Sequence, residues 1–242
     1  GFIDAHAHPL MLGQMMRWVD CGPDQAGSIP EMVALLKAAA ETVPAGLPIR
    51  GYGYEQRNLA ARRHPTRLEP DEVATDREVY VMNASGHGGV VNSYTFQLHG
   101  VTRETPNPKG GEFFRTDDGE LTGELSDAAC HHGPNFHLAD APEEHRRQLA
   151  VAQENFLQGG VTTIGDAQVS RREFDNYLAL AERNELKTRY SMYLLSHLLE
   201  EALETGMHGQ FGNAHLSFAG IKFYADGTLG GWTAYVPDGY VG

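Results

Sequence analysis

His6 and His8 stand one residue apart in the opening run FIDAHAH (2–8). On an extended chain alternate side chains share a face, so Asp4, His6 and His8 project together, with Phe2 beside them. Two imidazoles at this spacing can reach one divalent ion, because imidazole nitrogen is a common ligand for zinc and similar metals. The bare pair equally describes a surface strand that carries two histidines. Its surroundings favour the metal reading. An apolar strand running straight into Asp-x-His-x-His is a poor place for solvated imidazoles unless something polar lies at its C-terminal end.

Lys222 is the second residue of interest, in GIKFYADG (220–227). A strand there puts Lys222, Tyr224 and Asp226 on one face and Ile221, Phe223 and Ala225 on the other. A charged lysine alone in a core is costly. Its amine can take up carbon dioxide to give an anionic carbamate, whose two oxygens can bridge two metal ions. Spacing alone more simply describes a lysine paired with Asp226 or exposed at the strand rim.

His87 lies among glycines in SGHGG (85–89), where backbone can turn sharply or approach a ligand closely. It either reaches over a metal centre to hydrogen-bond substrate or is a loop histidine that caps or packs. Tyr54 either lines a substrate pocket or is a half-buried strand aromatic. Asn92 reads as the N-cap of a short helix. His131, His132 and His137 cluster with Cys130 without regular ligand spacing, and read as solvated loop histidines. The loop around Trp232 and Thr233 is expected to cover the site.

The elements that must position these residues change character along the chain. Residues 1–8 read as a strand ended by Pro9. Ser28 caps a helix carrying Ile29, Met32, Val33, Leu36 and Ala40 at helical spacing. Residues 47–54 and 78–85 read as strands, with a mostly looped, Arg-rich stretch over 57–77 holding one short helix. Residues 112–125 read as a hairpin about Asp118 and Gly119. From residue 142 regular alternation sets in: helix 142–158, strand 161–167, helix 171–185, strand 188–195, helix 197–207 and strand 216–226. Such alternation implies βαβ units and a parallel sheet.

Composition sets the outer limits. The chain has 242 residues with 32 acidic and 19 basic side chains, a net charge of -13. That balance argues against nucleic-acid binding and against an anionic membrane surface. Two distant cysteines, Cys21 and Cys130, make neither a disulfide framework nor a CxxC zinc pair. No apolar run approaches the ~18 residues of a membrane span. A cytoplasmic protein with reduced thiols is expected.

Three stretches together resemble amidohydrolase family 3, the group that includes N-substituted formamide deformylase and the YtcJ-like hydrolases. They are GFIDAHAHP (1–9), then RGYGYEQ (50–56) through HPTRLEPDEVATDREVYVMNASGHGGVVNS (64–93), and then GELTGELSDAA (119–129), GGVTTIGDA (159–167) and IKFYADGTLGGWTA (221–234). The motifs span nearly the whole chain in the family's order.

The resemblance implies an α/β fold, a partial (β/α)8 TIM barrel of the metal-dependent hydrolase superfamily with a large insertion after the first strand. Residues 1–9 and 142–242 would form the N-terminal half of the barrel, and 10–141 the insertion subdomain. His6 and His8 would be metal ligands, and Lys222 a carboxylated lysine bridging two metals. The cofactor implied is a divalent metal, zinc being the expected ion, with one or two ions bound. His87, Tyr54 and Asp226 are the substrate-binding candidates. The implied reaction is metal-assisted hydrolysis of a non-peptide C–N bond (amide, N-formyl or N-acyl) in a small-molecule substrate. An ester or phosphotriester hydrolase on the same fold and a non-catalytic binding or regulatory barrel are the alternatives; homo-oligomerisation stays open. Two departures stand out. The superfamily's further metal-binding histidines and its catalytic Asp would lie beyond Gly242, and residues of its β-sandwich before Gly1, so a fragment inactive by itself is expected. Asp127 also stands where the family usually has Glu.

Overall fold

The computed structural model describes residues 1–131, 142–207, 209–210, 214–227 and 234–239. His132, His137, Trp232 and Thr233 lie outside the described residues. The chain begins with strand β1 (Phe2–Ala7) and helix α1 (Pro9–Met15). There follow β2 (Val19–Asp20), α2 (Ile29–Ala40), β3 (Ile49–Tyr54), α3 (Leu68–Asp71), β4 (Val79–Asn83), β5 (Gly88–Val91), α4 (Ser93–Leu98), β6 (Gly111–Arg115) and β7 (Leu121–Asp127). The remainder is α5 (Pro142–Gln158), β8 (Val161–Val169), α6 (Arg171–Glu182), β9 (Arg189–Leu195), α7 (Leu199–Glu204), β10 (Gly209–Gln210) and β11 (Leu216–Lys222).

These elements form two compact units, Gly1–Arg17 with Asp140–Ala225, and Trp18–Ala139 with Asp226–Gly242. The first boundary falls after Arg17 rather than after residue 9, because α1 packs on α5. Gly13 lies so close to the Gln148 backbone that a Cβ there would collide with it, and Arg17 pairs with Glu144. Residues from 226 onward group with the second unit.

The first unit is built on a sheet ordered β1-β8-β9-β11-β10. The first four strands are parallel, and β10 adds antiparallel to β11. Along β9, Tyr190, Met192 and Leu194 are buried while their alternates are more exposed, the period of two that a sheet with one covered face requires. Helix α6 starts in a capping box: Ser170 Oγ accepts from the Glu173 backbone N–H, and Glu173 accepts from the Ser170 N–H at 2.7 Å. It buries Tyr177, Leu180 and Ala181, and the Tyr177 ring stacks 4.5 Å from that of Tyr190. Leu149 and Ala152 of α5 are fully buried, and each apolar side chain of leucine size so covered stabilises by about 1.5–3 kcal/mol. Strand β11 stops at Lys222, four residues short of the expected end.

The second unit holds a six-stranded mixed sheet ordered β2-β3-β4-β5-β7-β6. The β2/β3 and β3/β4 pairs are parallel, the others antiparallel. Ser28 caps α2 by accepting from the Glu31 N–H, and Met32, Val33 and Leu36 of that helix pack on Ile49, Val79 and Val81. Asn92 caps α4 as expected and is itself fully buried. Its Oδ1 accepts from Thr95 N–H and Val79 N–H, while its Nδ2 donates to the Ala74 and Arg77 carbonyls, so the burial leaves no unmet polar group. Cys21 and Cys130 are free and buried, and burial pushes both thiols up to about 12. No described helix is long and apolar enough to cross a membrane.

Candidate functional site

In the first unit the C-terminal ends of the parallel strands carry the residues of interest. β1 pairs with β8 through Asp4 opposite Ile164 and Ala7 opposite Asp166. Gly165 allows this close seating: a Cβ there would meet the Ala5 carbonyl oxygen at 2.5 Å. The Asp4 carboxylate accepts from the His6 backbone N–H at 3.2 Å, holding the end of β1. His8 follows at the N-cap of α1, and Pro9 starts that helix. The result is two imidazoles edge to face, their ring centroids 5.4 Å apart. His6 is exposed and His8 half-buried.

Lys222 ends β11 in register with Leu195. Its ammonium lies over the Tyr224 ring, 5.0 Å from the centroid, a favourable position for a cation. The Tyr224 hydroxyl donates to Gln168 Oε1 at 2.6 Å, and the Gln168 backbone N–H donates to Asp166 Oδ1 at 3.2 Å. Asp166 Oδ2 accepts from the buried Tyr177 hydroxyl at 2.6 Å. Burial holds the Asp166 carboxyl above the usual carboxylate range, against these two hydrogen bonds. Glu173 is raised too, by burial and by the charge of Asp166. Polar contacts thus run from the end of β11 to the end of β8 and into α6.

The His6–His8 pair suits two positions on a divalent ion. It does not make a complete set, since among the described residues no group of three or more His, Cys, Asp and Glu side chains is arranged to hold one. Lys222 is placed here as a cation on an aromatic face.

In the second unit His87 precedes β5 and Asp127 ends β7, facing each other where the β5/β7 ladder closes. His87 Nδ1 lies 2.9 Å from Asp127 Oδ1. Sequence reading left Asp127 without a role; the two residues are 40 apart, and no local pattern links them. Tyr54 is fully buried. Its hydroxyl is 3.0 Å from His64 Nδ1, and His64 Nε2 is 3.5 Å from Glu124 Oε1. Burial, reinforced by the charge of Glu112, pushes Glu124 up to about 7. Burial also lowers His64, with Glu55 opposing. Neither His64 nor Glu124 stands out singly in the sequence, although both lie within the stretches that carry the family resemblance. Asp226 accepts at Oδ2 from the Tyr235 N–H at 2.9 Å and groups with the second unit.

Comparison with known proteins adds the wider context. A family model described as the amidohydrolase family matches residues 1–241. N-substituted formamide deformylase of Arthrobacter pascens is 32% identical over 181 residues, covering 73% of this chain and 33% of the relative. Protein LONG AFTER FAR-RED 3 of Arabidopsis thaliana is 27% identical over 255 residues, covering 100% of this chain and 43% of the relative. A crystal structure of an uncharacterized metal-dependent hydrolase from Pyrococcus horikoshii superposes with a TM-score of 0.70 at 25% identity, covering 96% of this chain and 44% of that one. The chain therefore spans between a third and a half of the length of these relatives.

Proposed function

The chain belongs to the amidohydrolase family, and on that premise we propose that it forms part of a metal-dependent hydrolase acting on a non-peptide C–N bond. The bond is that of an amide, N-formyl or N-acyl group in a small-molecule substrate. The observation that carries this reading is the edge-to-face approach of His6 and His8 at the C-terminal end of a parallel strand, the end at which barrel enzymes keep their active sites. Two relatives support it, one a formamide deformylase and one a metal-dependent hydrolase.

On this reading β1, β8, β9 and β11 are the first four strands of a (β/α)8 barrel, and the second unit is an insertion after the first strand. His6 and His8 hold a divalent metal, zinc being the expected ion because imidazole nitrogen is one of its common ligands. A metal at such a site, when bound, supplies activation of water and polarisation of the scissile carbonyl. The chain's own contribution is positional. Asp4 fixes the backbone of His6, Pro9 turns the chain at His8, and Gly165 lets β1 seat against β8. Lys222, as a carbamate, adds a further ligand.

The test is elemental analysis and hydrolysis of an N-substituted formamide by the whole hydrolase of which the chain forms part, and by its His6→Ala, His8→Ala and Lys222→Ala variants. Stoichiometric metal that falls in the histidine variants, together with lost hydrolysis, is the expected result. Unchanged metal content and unchanged hydrolysis in all three variants would sink the assignment. Hydrolysis of a matched ester but of no amide would move the chemistry to another bond.

A further inference from the structure

Tyr224 makes two contacts from one ring that is 55% exposed. Its hydroxyl donates to Gln168 Oε1 at 2.6 Å. Its face carries the Lys222 ammonium, 5.0 Å from the ring centroid. An exposed tyrosine ordinarily has several staggered positions open to it, and the hydroxyl bond selects one. The acceptor stands on another strand. Gln168 belongs to β8 and Lys222 to β11, and β9 lies between them in the sheet. Two strand spacings amount to about 10 Å, so the phenol spans from one strand end towards the other, and Lys222 rests on that span. The far end is anchored in the core. The Gln168 N–H donates to Asp166 Oδ1 at 3.2 Å, and Asp166 Oδ2 accepts from Tyr177, which α6 buries. β8 is also the strand that seats β1, the bearer of His6, with Ala7 opposite Asp166. All of these residues lie in the first unit.

We propose that Tyr224, held by its hydrogen bond to Gln168, is a positioning residue that seats the Lys222 side chain across the strand ends towards β8. A lysine carries its charge on a flexible stem. At a strand end that stem is free to spread over many rotamers, and fixing it later costs entropy. A ring locked beneath the amine lets that entropy be lost on folding instead of on binding, which is how preorganisation raises affinity. The consequence for a metal rests on the hydrolase reading above, in which Lys222 is a ligand. The seating of the side chain does not depend on it.

Three variants take the arrangement apart. Gln168→Met keeps the length of the side chain without the acceptor, Tyr224→Phe keeps the ring without the donor, and Tyr224→Leu removes the ring. The whole hydrolase of which the chain forms part is compared with each variant in melting temperature, in zinc Kd by chelator competition, and in the ring-current shift of the Lys222 Cε protons in metal-free, ¹³C-lysine-labelled protein. Lys222→Ala identifies that signal. The expected parent signal is shifted upfield by the ring. The shift shrinks in Gln168→Met and in Tyr224→Phe and vanishes in Tyr224→Leu, while the Tm of the first two stays that of the parent. The zinc Kd weakens about tenfold or more in each of those two. It weakens no further when they are combined, as a single shared bond requires. A parent-like Lys222 shift in both Gln168→Met and Tyr224→Phe overturns the proposal. So does a zinc Kd unchanged in both when Lys222→Ala weakens it. A zinc Kd that Lys222→Ala leaves unchanged removes Lys222 as a ligand under the hydrolase reading. The seating is then judged by the Lys222 shift alone: its loss in the two variants upholds the proposal, and its persistence overturns it.

Discussion

Tyr177 donates a 2.6 Å hydrogen bond to Oδ2 of Asp166, and both side chains are almost completely buried. The donor comes from α6 and the acceptor from β8, so this bond fastens the helix to the strand whose end faces Ala7. Tyr177→Phe leaves a buried carboxyl oxygen short of a partner and should cost about 1–3 kcal/mol. Urea unfolding measures it. The sign with pH also follows. Burial raises the Asp166 carboxyl in the folded state, so the stability it contributes is fully present in acid and declines as pH rises through its raised value. Asp166→Asn should flatten that decline.

Glu124 gives a sharper pH test. Its folded value of about 7 stands above the ordinary 4.5, through burial and the charge of Glu112. The proton it keeps in the folded state favours folding below 4.5, and this contribution is lost as pH rises through about 7. Above that, Glu124→Gln should be more stable than the parent by roughly 2–3 kcal/mol, and in acid the difference should vanish. Denaturant midpoints on both sides of neutrality decide it; a constant difference would place the origin outside this carboxyl.

Gly165 offers a way to disturb the His6–His8 pair without touching either ring. Alanine there drives a Cβ to 2.5 Å from the Ala5 carbonyl oxygen, and both neighbours are backbone that cannot swing aside. Gly165→Ala should push β1 off β8, cost about 1–3 kcal/mol as overpacking does, and weaken metal retention. Metal affinity equal to the parent's would mean that the β1–β8 seating does not set the pair.

β1 is an outer strand of its sheet, and Phe2 and Ile3 are 73% and 72% exposed. Exposed apolar strand edges template association. The 242-residue chain expressed alone should therefore elute at an apparent mass that rises with concentration. Ile3→Lys should suppress this. An unchanged concentration dependence in Ile3→Lys would point to another surface.

Much of this architecture was legible from periodicity. The helices at 142–158 and 171–185, the strands between them, and the caps at Ser28 and Asn92 follow from local pattern, and the structure has them. The failures have identifiable causes. Pro9 follows the end of β1 as expected, but a proline also opens a helix at its first turn, and the unexpected α1 begins there. Gly88 and Gly89 read as loop, yet they belong to β5. A Cβ at Gly89 would strike the Tyr80 ring and the Val81 carbonyl oxygen, so the neighbouring strand requires glycine. Tyr54 looked like a site residue because strand aromatics are ambiguous between core and pocket, and its covering by His64 depends on a loop that periodicity cannot place. The Asp127 partner of His87 depends on strand pairing across 40 residues, which no local signal carries.

The separation in sequence of two paired strands also sets a timetable for synthesis. β1 ends at Ala7 and its partner β8 begins at Val161, 154 positions later. At ~5–20 residues per second, a ribosome takes roughly 8–30 s to make that stretch. Throughout this interval β1 is without its hydrogen-bonding partner, while residues 18–139 of the second unit are being made. The nascent strand is then an apolar segment in waiting, and the need for a chaperone to shield it should be greatest in that window.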